Sequence, residues 1–325
     1  MSFPATIQAI GIQKTGDIDV VEKLNIPFPK QQPDQIVVKV KYGGVNTIDT
    51  YFRKGLYPIK AFPQVLGAEA SGVVVALPTD EKVLNDEWYK RRGFKVGTRV
   101  ALYGLGAFAD ILTDVLCAGL TAITHMTEGY HVNKGDIILV HTVAGGLGLL
   151  FTAYAKSRGA TVIGTTSTPE KAEIAKSYGA DYVILYPKEN TVQRVLEITN
   201  GEGVHAVFDG VGKDTFMANF DLVRRKGTLV NVGNASGPVE PIAPLKLSAK
   251  NLKLVRPSMG NYITTPEESE HYTKELWEAL TSGLFKVRIC NVYPFTTEGA
   301  QTAQKEITTP GGKLAGKILI KISED

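Results

Sequence analysis

The chain has 325 residues, which is long enough for two domains, and its 43% hydrophobic and 21% charged residues are ordinary for a soluble globular protein. A net charge of +3 is too small to indicate nucleic acid or an anionic membrane surface as the main partner. The two cysteines, Cys117 and Cys290, exclude a disulfide framework and a cysteine metal cluster. Residues 1–10 do not resemble a secretory signal, and no apolar run is long enough to span a bilayer. We therefore expect a cytoplasmic protein.

The first third of the chain is predicted to be rich in β-structure. Residues 35–42 alternate partly with a period of two, and residues 71–76 form a second strand candidate. Six prolines between positions 27 and 78 argue against long helices in this region.

From about Asp136 the pattern changes to short apolar strands that alternate with helices, which predicts an α/β fold with a parallel sheet covered on both faces. The predicted strands are Ile137–His141, Thr161–Thr165, Tyr182–Leu185, Ala206–Asp209 and Thr228–Val232. The predicted helices are Gly148–Arg158, Glu170–Tyr178, Asn190–Thr199 and Asp214–Leu222. The tail is predicted to contain a helix over Glu268–Leu280 and a final strand over Gly316–Ile322.

A glycine cluster follows the first of these strands and opens the first helix. Gly145, Gly146 and Gly148 stand where glycines let the backbone approach a pyrophosphate at a helix N-terminus. The strict dinucleotide fingerprint has another glycine at position 143, where this chain has Val143. A tight strand-to-helix turn without a ligand is the alternative interpretation.

The residues about twenty positions further on indicate which dinucleotide binds. Many NAD sites have an acidic residue there that holds the ribose hydroxyls. This chain has Thr165, Thr166 and Ser167, followed by Lys171. Hydroxyls and an ammonium attract a 2′-phosphate that a carboxylate would repel, so the pattern favours NADPH over NADH. Lys171 as a solvated residue on a helix face is the alternative.

Several motifs in order carry a resemblance to a known family. They are Gly44–Tyr51, Arg53–Pro58, Leu66–Gly72, His141–Gly148, Phe208–Thr215, Val232–Gly237 and Val255–Ser258. With these motifs the chain resembles the zinc-independent quinone oxidoreductases of the medium-chain dehydrogenase/reductase superfamily, the group that includes zeta-crystallin. The resemblance covers nearly the whole chain.

The resemblance implies two domains and an activity. Residues 1–118 and 258–325 would form a discontinuous GroES-like catalytic domain, and residues 119–257 a Rossmann-type NADPH-binding domain. The activity would be NADPH-dependent reduction of quinones in the cleft between the domains. It also implies a homodimer, in which a strand within Pro244–Ser258 pairs with its copy.

No metal is expected. Metal-dependent relatives carry a zinc-binding histidine in a Gly-His-Glu stretch, and the matching residues here are Gly67-Ala68-Glu69. The five histidines show no ligand spacing. A quinone is already a strong electron acceptor, so its reduction needs positioning beside the nicotinamide more than it needs a Lewis acid.

The resemblance also places the site residues. Asn46, Asp49 and Tyr51 would lie beside the nicotinamide and the substrate, with Arg53 and Tyr57 near the mouth of the cleft. Core or rim packing is the alternative for the two tyrosines. The residues expected to bind the cofactor are Asn46, Thr121, Gly145, Gly146, Leu147, Gly148, Ser167, Lys171, Tyr186, Gly233, Asn234, Met259, Gly260 and Lys313.

Three features depart from the family pattern. Relatives carry a strand, a proline turn and a helix start where Asp114 here runs directly into Val115. Lys313 stands in the region where relatives place an arginine against the cofactor phosphate, and Gly210 stands where relatives often have serine. A point charge lacks the forked geometry of a guanidinium.

Two other functions stay open. The same fold could reduce the double bond of an enone or alkenal, with hydride going to the carbon β to the carbonyl. A structural or RNA-binding role is known for the zeta-crystallin group, and Arg91-Arg92 and Arg224-Arg225-Lys226 could form basic patches. The low net charge and the lack of a basic, aromatic run argue against RNA as the main partner.

Overall fold

The structure, a computed structural model, describes residues 3–104, 106–109, 116–309, 311, 312 and 314–324. Short strands and three short helices form the first part of the chain, as the prolines predict. The strands are β1 (Thr6–Ile12), β2 (Glu22–Pro27), β3 (Val37–Val45), β4 (Gln64–Val65), β5 (Glu69–Ala76) and β6 (Arg99–Tyr103). The helices are α1 (Thr47–Arg53), α2 (Glu81–Asn85) and α3 (Glu87–Arg92).

The second part alternates strands with helices. It begins with α4 (Leu116–Thr124), and its strands are β7 (Ile137–Val140), β8 (Thr161–Thr166), β9 (Tyr182–Leu185), β10 (Val204–Asp209), β11 (Val223–Asn231) and β12 (Lys253–Val255). Its helices are α5 (Gly146–Ser157), α6 (Pro169–Ser177), α7 (Thr191–Ile198) and α8 (Asn219–Leu222). The tail contains α9 (Pro266–Thr281), β13 (Ile289–Pro294), α10 (Thr297–Thr308) and β14 (Lys317–Lys321).

The chain packs as two compact units. The first unit comprises Met1–Cys117, Ile289–Pro310 and Lys317–Asp325, and the second comprises Ala118–Arg288 and Gly311–Gly316. By contact, residues 258–288 therefore group with the second unit. The sequence domains predicted with boundaries at 118 and 258 stay a prediction, because they divide the chain by family likeness and not by contact.

The second unit is built on the predicted parallel sheet. Its six strands lie in the order β12-β11-β10-β7-β8-β9, and every neighbouring pair is parallel. If β7 to β12 are numbered 1 to 6 along the chain and the sheet is read from the β9 edge, the order is 3-2-1-4-5-6, the arrangement of a Rossmann fold. The strand order reverses between β7 and β10, and ligands bind such sheets at the carboxyl ends of the strands beside that point. The predicted α/β fold is confirmed.

Polar capping residues explain where α6 and α7 begin. Thr168 caps α6 with its hydroxyl, and a proline opens the helix, where a missing N–H does no harm. The side chain of Asn190 accepts a hydrogen bond from Gln193 N–H and caps α7. Between the sheet and these helices lies a core of Leu, Ile, Val and Phe that includes Leu139, Ile163 and Val207, all fully buried.

The first unit carries two sheets. A five-stranded sheet has the order β13-β14-β3-β5-β6, and a three-stranded sheet has the order β2-β1-β4. Strand β14, near the end of the chain, pairs antiparallel with β3, so Ile318 lies opposite Val45. The tail thus completes the sheet that carries the start of α1. No helix among the described residues is long and apolar enough to cross a membrane.

Two predicted elements differ in the structure. Pro244–Ser258, the segment expected to contain the strand of the dimer, begins with a 3-10 helix over Pro244–Lys250, and the strand within it is Lys253–Val255, at the edge of the parallel sheet. The predicted helix Asp214–Leu222 is helical only from Asn219, because the residues before it turn around the carboxylate of Asp209.

Candidate functional site

The glycine cluster forms a tight turn between β7 and α5. Gly145 donates its N–H to the carbonyl of Thr142 at 2.8 Å, and α5 begins at Gly146. The N-cap is Gly145, which has no side chain to occupy the N–H groups of the first helical turn. Gly146, Leu147 and Gly148 therefore present backbone donors of the kind that bind anionic ligands. Gly146 lies in the helix and does not have a left-handed φ. A glycine at this position is therefore not required by the backbone conformation.

Gly148 is required by the turn itself. A Cβ at this position would lie 2.3 Å from the carbonyl oxygen of Thr142 and 2.8 Å from that of Val143, both of them backbone atoms. The start of α5 therefore packs directly against the end of the preceding strand.

The valine that replaces the first glycine of the fingerprint has a physical explanation. Val143 is fully buried, and a Cβ at Gly164 on β8 would lie 2.5 Å from the Cβ of Val143. The side chain of Val143 thus occupies space that the glycine on the neighbouring strand leaves free.

The residues expected to bind the 2′-phosphate meet at the end of β8. Lys171 Nζ donates to Ser167 Oγ at 3.3 Å, and Lys171 lies in the first turn of α6. Tyr186 is 48% exposed and donates its N–H to the carbonyl of Thr166 at 3.1 Å, so it follows the neighbouring strand at the same edge. A hydroxyl and an ammonium beside a helix N-terminus fit a phosphate monoester chemically.

The loops after β10 and β11 are joined by backbone hydrogen bonds. Val232 and Gly233 both donate their N–H groups to the carbonyl of Asp209, at 2.7 and 3.1 Å. Gly212 has a φ of 87°, and a Cβ there would lie 3.0 Å from the Cα of Asn234. The loop that holds Gly233 and Asn234 is therefore fixed to the same edge of the sheet as the glycine turn.

The remaining predicted cofactor residues lie elsewhere in the second unit or outside the description. Thr121 lies on α4 and is largely buried, while Met259 and Gly260 open a 3-10 helix after β12. Lys313 lies outside the described residues, as does the junction between Asp114 and Val115.

In the first unit, a polar cluster surrounds the start of α1. Asp49 is 1% exposed, and its carboxylate accepts hydrogen bonds from the N–H of Asn46 at 2.8 Å and the N–H of Gly67 at 3.1 Å. The side-chain amide of Asn46 donates to the carbonyl of Gly44 at 3.0 Å and to Glu69 Oε1 at 2.7 Å. These bonds fix both the helix start and the orientation of the Asn46 amide.

Lys317 is also part of this cluster, although no sequence motif pointed to it. Its Nζ donates to Asn46 Oδ1 at 2.8 Å and pairs with the fully buried carboxylate of Glu69. The signal available in the sequence was a lysine that opens the final strand and is followed directly by three apolar residues. Such a lysine is expected to find a buried carboxylate, because an unpaired charge inside the protein is strongly unfavourable.

The carboxyl group of Asp49 is electrostatically unusual. Burial raises its pKa from an ordinary 3.8 to about 7, and the nearby charge of Glu69 adds to this rise. The N–H groups of Asn46 and Gly67 and the ammonium of Lys317 oppose the shift. Near neutral pH the group can therefore exist with or without its proton.

The two tyrosines of the site form an aromatic group. The rings of Tyr51 and Tyr57 lie 5.3 Å apart at 61°, and Tyr57 also meets Phe52 edge-on at 5.6 Å. Tyr51 is 6% exposed, and Tyr57 is half-buried. This arrangement fixes the direction of each ring.

Arg53 is placed differently from the expectation. It was expected near the mouth of a cleft, but it is 1% exposed. Its Nε donates to Gln304 Oε1 at 2.8 Å and its Nη1 to the carbonyl of Gly16 at 3.0 Å, and the guanidinium also pairs with Asp17. These contacts join α1 to α10 and to the loop after β1, so the geometry gives Arg53 a structural role.

The donor set at position 68 does not fit zinc. Ala68 is fully buried and offers no donor, and the carboxylate of Glu69 is already paired with Lys317. Over the ranges that the structure describes, no group of three or more His, Cys, Asp or Glu side chains could hold a metal ion.

Two protein families match parts of the chain. A family described as the alcohol dehydrogenase GroES-like domain matches residues 32–113, and one described as zinc-binding dehydrogenase matches residues 146–280. A probable quinone oxidoreductase of Schizosaccharomyces pombe is 37% identical over 339 aligned positions, which cover 97% of both chains.

Two further comparisons bear on chemistry. The crystal structure of Escherichia coli quinone oxidoreductase complexed with NADPH superposes with a TM-score of 0.86 at 31% identity, covering 97% of this chain and 99% of that one. A 2-haloacrylate reductase of a Burkholderia species is 32% identical over 90% of this chain and 94% of its own.

We predict that Gly148→Ala destabilises the protein by about 1–3 kcal/mol, because the added carbon forces backbone atoms apart. Gly104→Ala is the control, since a Cβ at Gly104 meets no atom within 4 Å and the φ there is not left-handed. Denaturant unfolding followed by circular dichroism measures both variants. Equal stability of the two would show that the turn tolerates a side chain.

Asp49 should make stability depend on pH. Between about pH 4 and pH 7 the folded protein retains a proton on Asp49 that the unfolded chain has released, so the free energy of unfolding falls as the pH rises through this window. In Asp49→Asn this contribution is absent. The stability of the parent relative to Asp49→Asn should therefore be lower at pH 8 than at pH 5, by roughly 1 kcal/mol or more. A difference that stays constant from pH 5 to pH 8 would contradict the raised pKa.

Proposed function

Because this chain belongs to the quinone oxidoreductase family of the medium-chain dehydrogenase/reductase superfamily, we propose that it catalyses the NADPH-dependent reduction of quinones. The observation that carries the proposal is the pair formed by Ser167 and Lys171 at the carboxyl end of β8. It supplies a hydroxyl and an ammonium where an NAD enzyme has an acid. NADPH supplies a hydride, and one proton completes the conversion of a quinone to a hydroquinone.

In this proposal the second unit binds NADPH. The 2′-phosphate binds Ser167 and Lys171, with Tyr186 beside them, and the pyrophosphate receives hydrogen bonds from the N–H groups that follow Gly145. The loop of Gly233 and Asn234 lies at the same edge of the sheet and contacts the nicotinamide half. We assign Thr121, Leu147, Met259, Gly260 and Lys313 to the cofactor site on family likeness alone.

The first unit supplies the residues proposed for the substrate. The phenol of Tyr51 donates a hydrogen bond to the quinone carbonyl as negative charge develops on its oxygen, without giving up its proton. Tyr57 fixes the direction of the Tyr51 ring. Asn46 is oriented by Lys317 and Glu69, while Asp49 sets the start of the helix that carries Tyr51. Positioning therefore supplies most of the catalysis.

A second candidate is the reduction of a carbon–carbon double bond conjugated to a carbonyl. The similarity to a 2-haloacrylate reductase favours it, since that relative acts on an unsaturated acid by name. The same cofactor arrangement serves both reactions, because in each a hydride goes to an electron-poor carbon. The two candidates differ in which acceptor the first unit can hold.

We also propose that the activity is independent of zinc, that the protein is cytoplasmic and that it forms a homodimer. The pairing of Glu69 with Lys317 supports the first of these. The homodimer would form around Pro244–Ser258, where β12 is an edge strand and Leu245 is 79% exposed. Light scattering that gave a monomer at micromolar concentration would refute the homodimer.

The function is tested by NADPH oxidation with purified protein against ortho-quinones, para-quinones and enones. We expect turnover with quinones to exceed turnover with enones and to persist after prolonged chelation. Reduction of enones alone would favour the second candidate, and no oxidation with any acceptor would reject the enzymatic proposal. Activity lost on chelation and restored by zinc would refute zinc independence.

Lys171→Ala should weaken NADPH binding by about 1–3 kcal/mol, the range for a hydrogen bond to a charged group, and should change NADH binding little. Lys176→Ala is a matched control on the same helix, since Lys176 pairs at the surface with Glu173. Titration of both cofactors by fluorescence measures the effect. Equal affinity of the parent for NADPH and NADH would contradict the assignment of the 2′-phosphate site.

A further inference from the structure

A chain of buried polar side chains crosses the carboxyl edge of the parallel sheet. His141 follows β7, Thr165 lies on β8, Asp209 ends β10 and Asn219 begins α8, and all four are at most 5% exposed. His141 Nδ1 lies 3.0 Å from Thr165 Oγ1, and its Nε2 lies 2.9 Å from Asn219 Oδ1. Asn219 Nδ2 donates to Asp209 Oδ2 at 2.7 Å.

The chemistry of Asp209 fixes the direction of every bond in this chain. A carboxylate can only accept, so the nitrogen of the Asn219 amide must face it and the amide oxygen must face His141. His141 therefore donates from Nε2, and in this tautomer Nδ1 is the acceptor. It follows that the hydroxyl of Thr165 donates to His141. The other tautomer would set two acceptors, Nε2 and the amide oxygen of Asn219, against each other.

One end of this series of hydrogen-bonded side chains is the glycine turn between β7 and α5. Thr165 Oγ1 accepts a hydrogen bond from the N–H of Thr142 at 3.4 Å, and the carbonyl of Thr165 accepts one from the N–H of Val143 at 3.0 Å. Thr142 has a φ of 56°, a left-handed conformation that a non-glycine residue keeps only when its surroundings enforce it. The carbonyl of this same residue accepts the hydrogen bond of Gly145 that closes the turn.

The other end of this series of hydrogen-bonded side chains is the loop after β10. The carboxylate of Asp209 accepts hydrogen bonds from the N–H groups of Val211 and Gly212, at 2.8 and 3.2 Å, and from the hydroxyl of Thr215. The chain thus connects the turn proposed for the pyrophosphate with the loop that lies against Gly233 and Asn234.

We propose that His141 is a positioning residue, which sets the glycine turn at the separation from the β10 loop that NADPH requires. It transmits the fixed orientation of the Asp209 carboxylate to the backbone of Thr142 and touches neither substrate nor reacting atoms. The inference rests on the proposed NADPH site at this edge of the sheet. A histidine with only a structural role would affect folding stability alone. In the proposed role, the affinity for NADPH depends on the donor at Nε2 of the ring and on the acceptor at Nδ1.

The test compares His141→Gln with His141→Leu. Glutamine can donate to Asn219 and accept from Thr165, and leucine has a similar volume but can do neither. We expect His141→Leu to raise the Kd for NADPH about tenfold or more, as expected for two lost buried hydrogen bonds, and His141→Gln to stay within about threefold of the parent. In His141→Leu the KM for NADPH should rise while kcat at saturating NADPH changes less.

Each outcome decides the inference. A folded His141→Leu protein with parental affinity would overturn it, as would a His141→Gln protein that is equally folded but binds as weakly as His141→Leu. Should His141→Leu fail to fold, Thr165→Val decides instead, because it removes one hydroxyl at nearly constant shape and should raise the Kd severalfold. Gly148→Ala tests the proposed NADPH site itself. If the folded Gly148→Ala protein binds NADPH with parental affinity, the site is refuted. If Gly148→Ala loses affinity and the His141 variants do not, only the role of His141 is refuted.

Discussion

The carboxylate of Asp209 organises the end of the parallel sheet at which strand order reverses. A buried carboxylate at this point must be satisfied by hydrogen-bond donors. It takes two backbone N–H groups, a threonine hydroxyl and an amide, while the carbonyl of the same residue holds the next loop along. All four donors lie within Val211–Asn219, so the carboxylate fixes the loop after β10, and the Asp209 carbonyl fixes the loop after β11 relative to it.

In the first unit, a buried ion pair between Glu69 and Lys317 holds distant segments together. Glu69 and Lys317 are far apart in sequence and are brought together because the last strand pairs with β3. Removing one member of such a buried pair would leave an uncompensated charge, so the pair ties the end of the chain to the start of α1. The orientation of the Asn46 amide then follows from which of its atoms faces the ammonium and which faces the carboxylate.

The alternation of apolar strands and helices after Asp136 was sufficient to predict the parallel sheet, because its central strands β7, β8 and β10 are largely buried on both faces and polar caps begin α6 and α7. Within Pro244–Ser258 the strand is confined to Lys253–Val255, because Pro244–Lys250 form a 3-10 helix that the sequence pattern did not indicate. The pairing of Ser167 with Lys171 could be predicted, since a spacing of four across a helix start brings such residues together. The burial of Arg53 could not, because it depends on Gln304 from a distant helix.

The exchange of space between Val143 and Gly164 bears on how this turn changes during evolution. The glycine missing from the loop motif is present on the adjacent strand, where its hydrogen atom faces the valine methyls. Side chains at both positions would clash, so the residues at 143 and 164 are expected to change together. A search that reads the loop as a linear pattern scores Val143 as a defect. The same volume rule, applied across the turn and the neighbouring strand, accepts Val143 because Gly164 leaves room for it, whereas side chains at both positions would be overpacked.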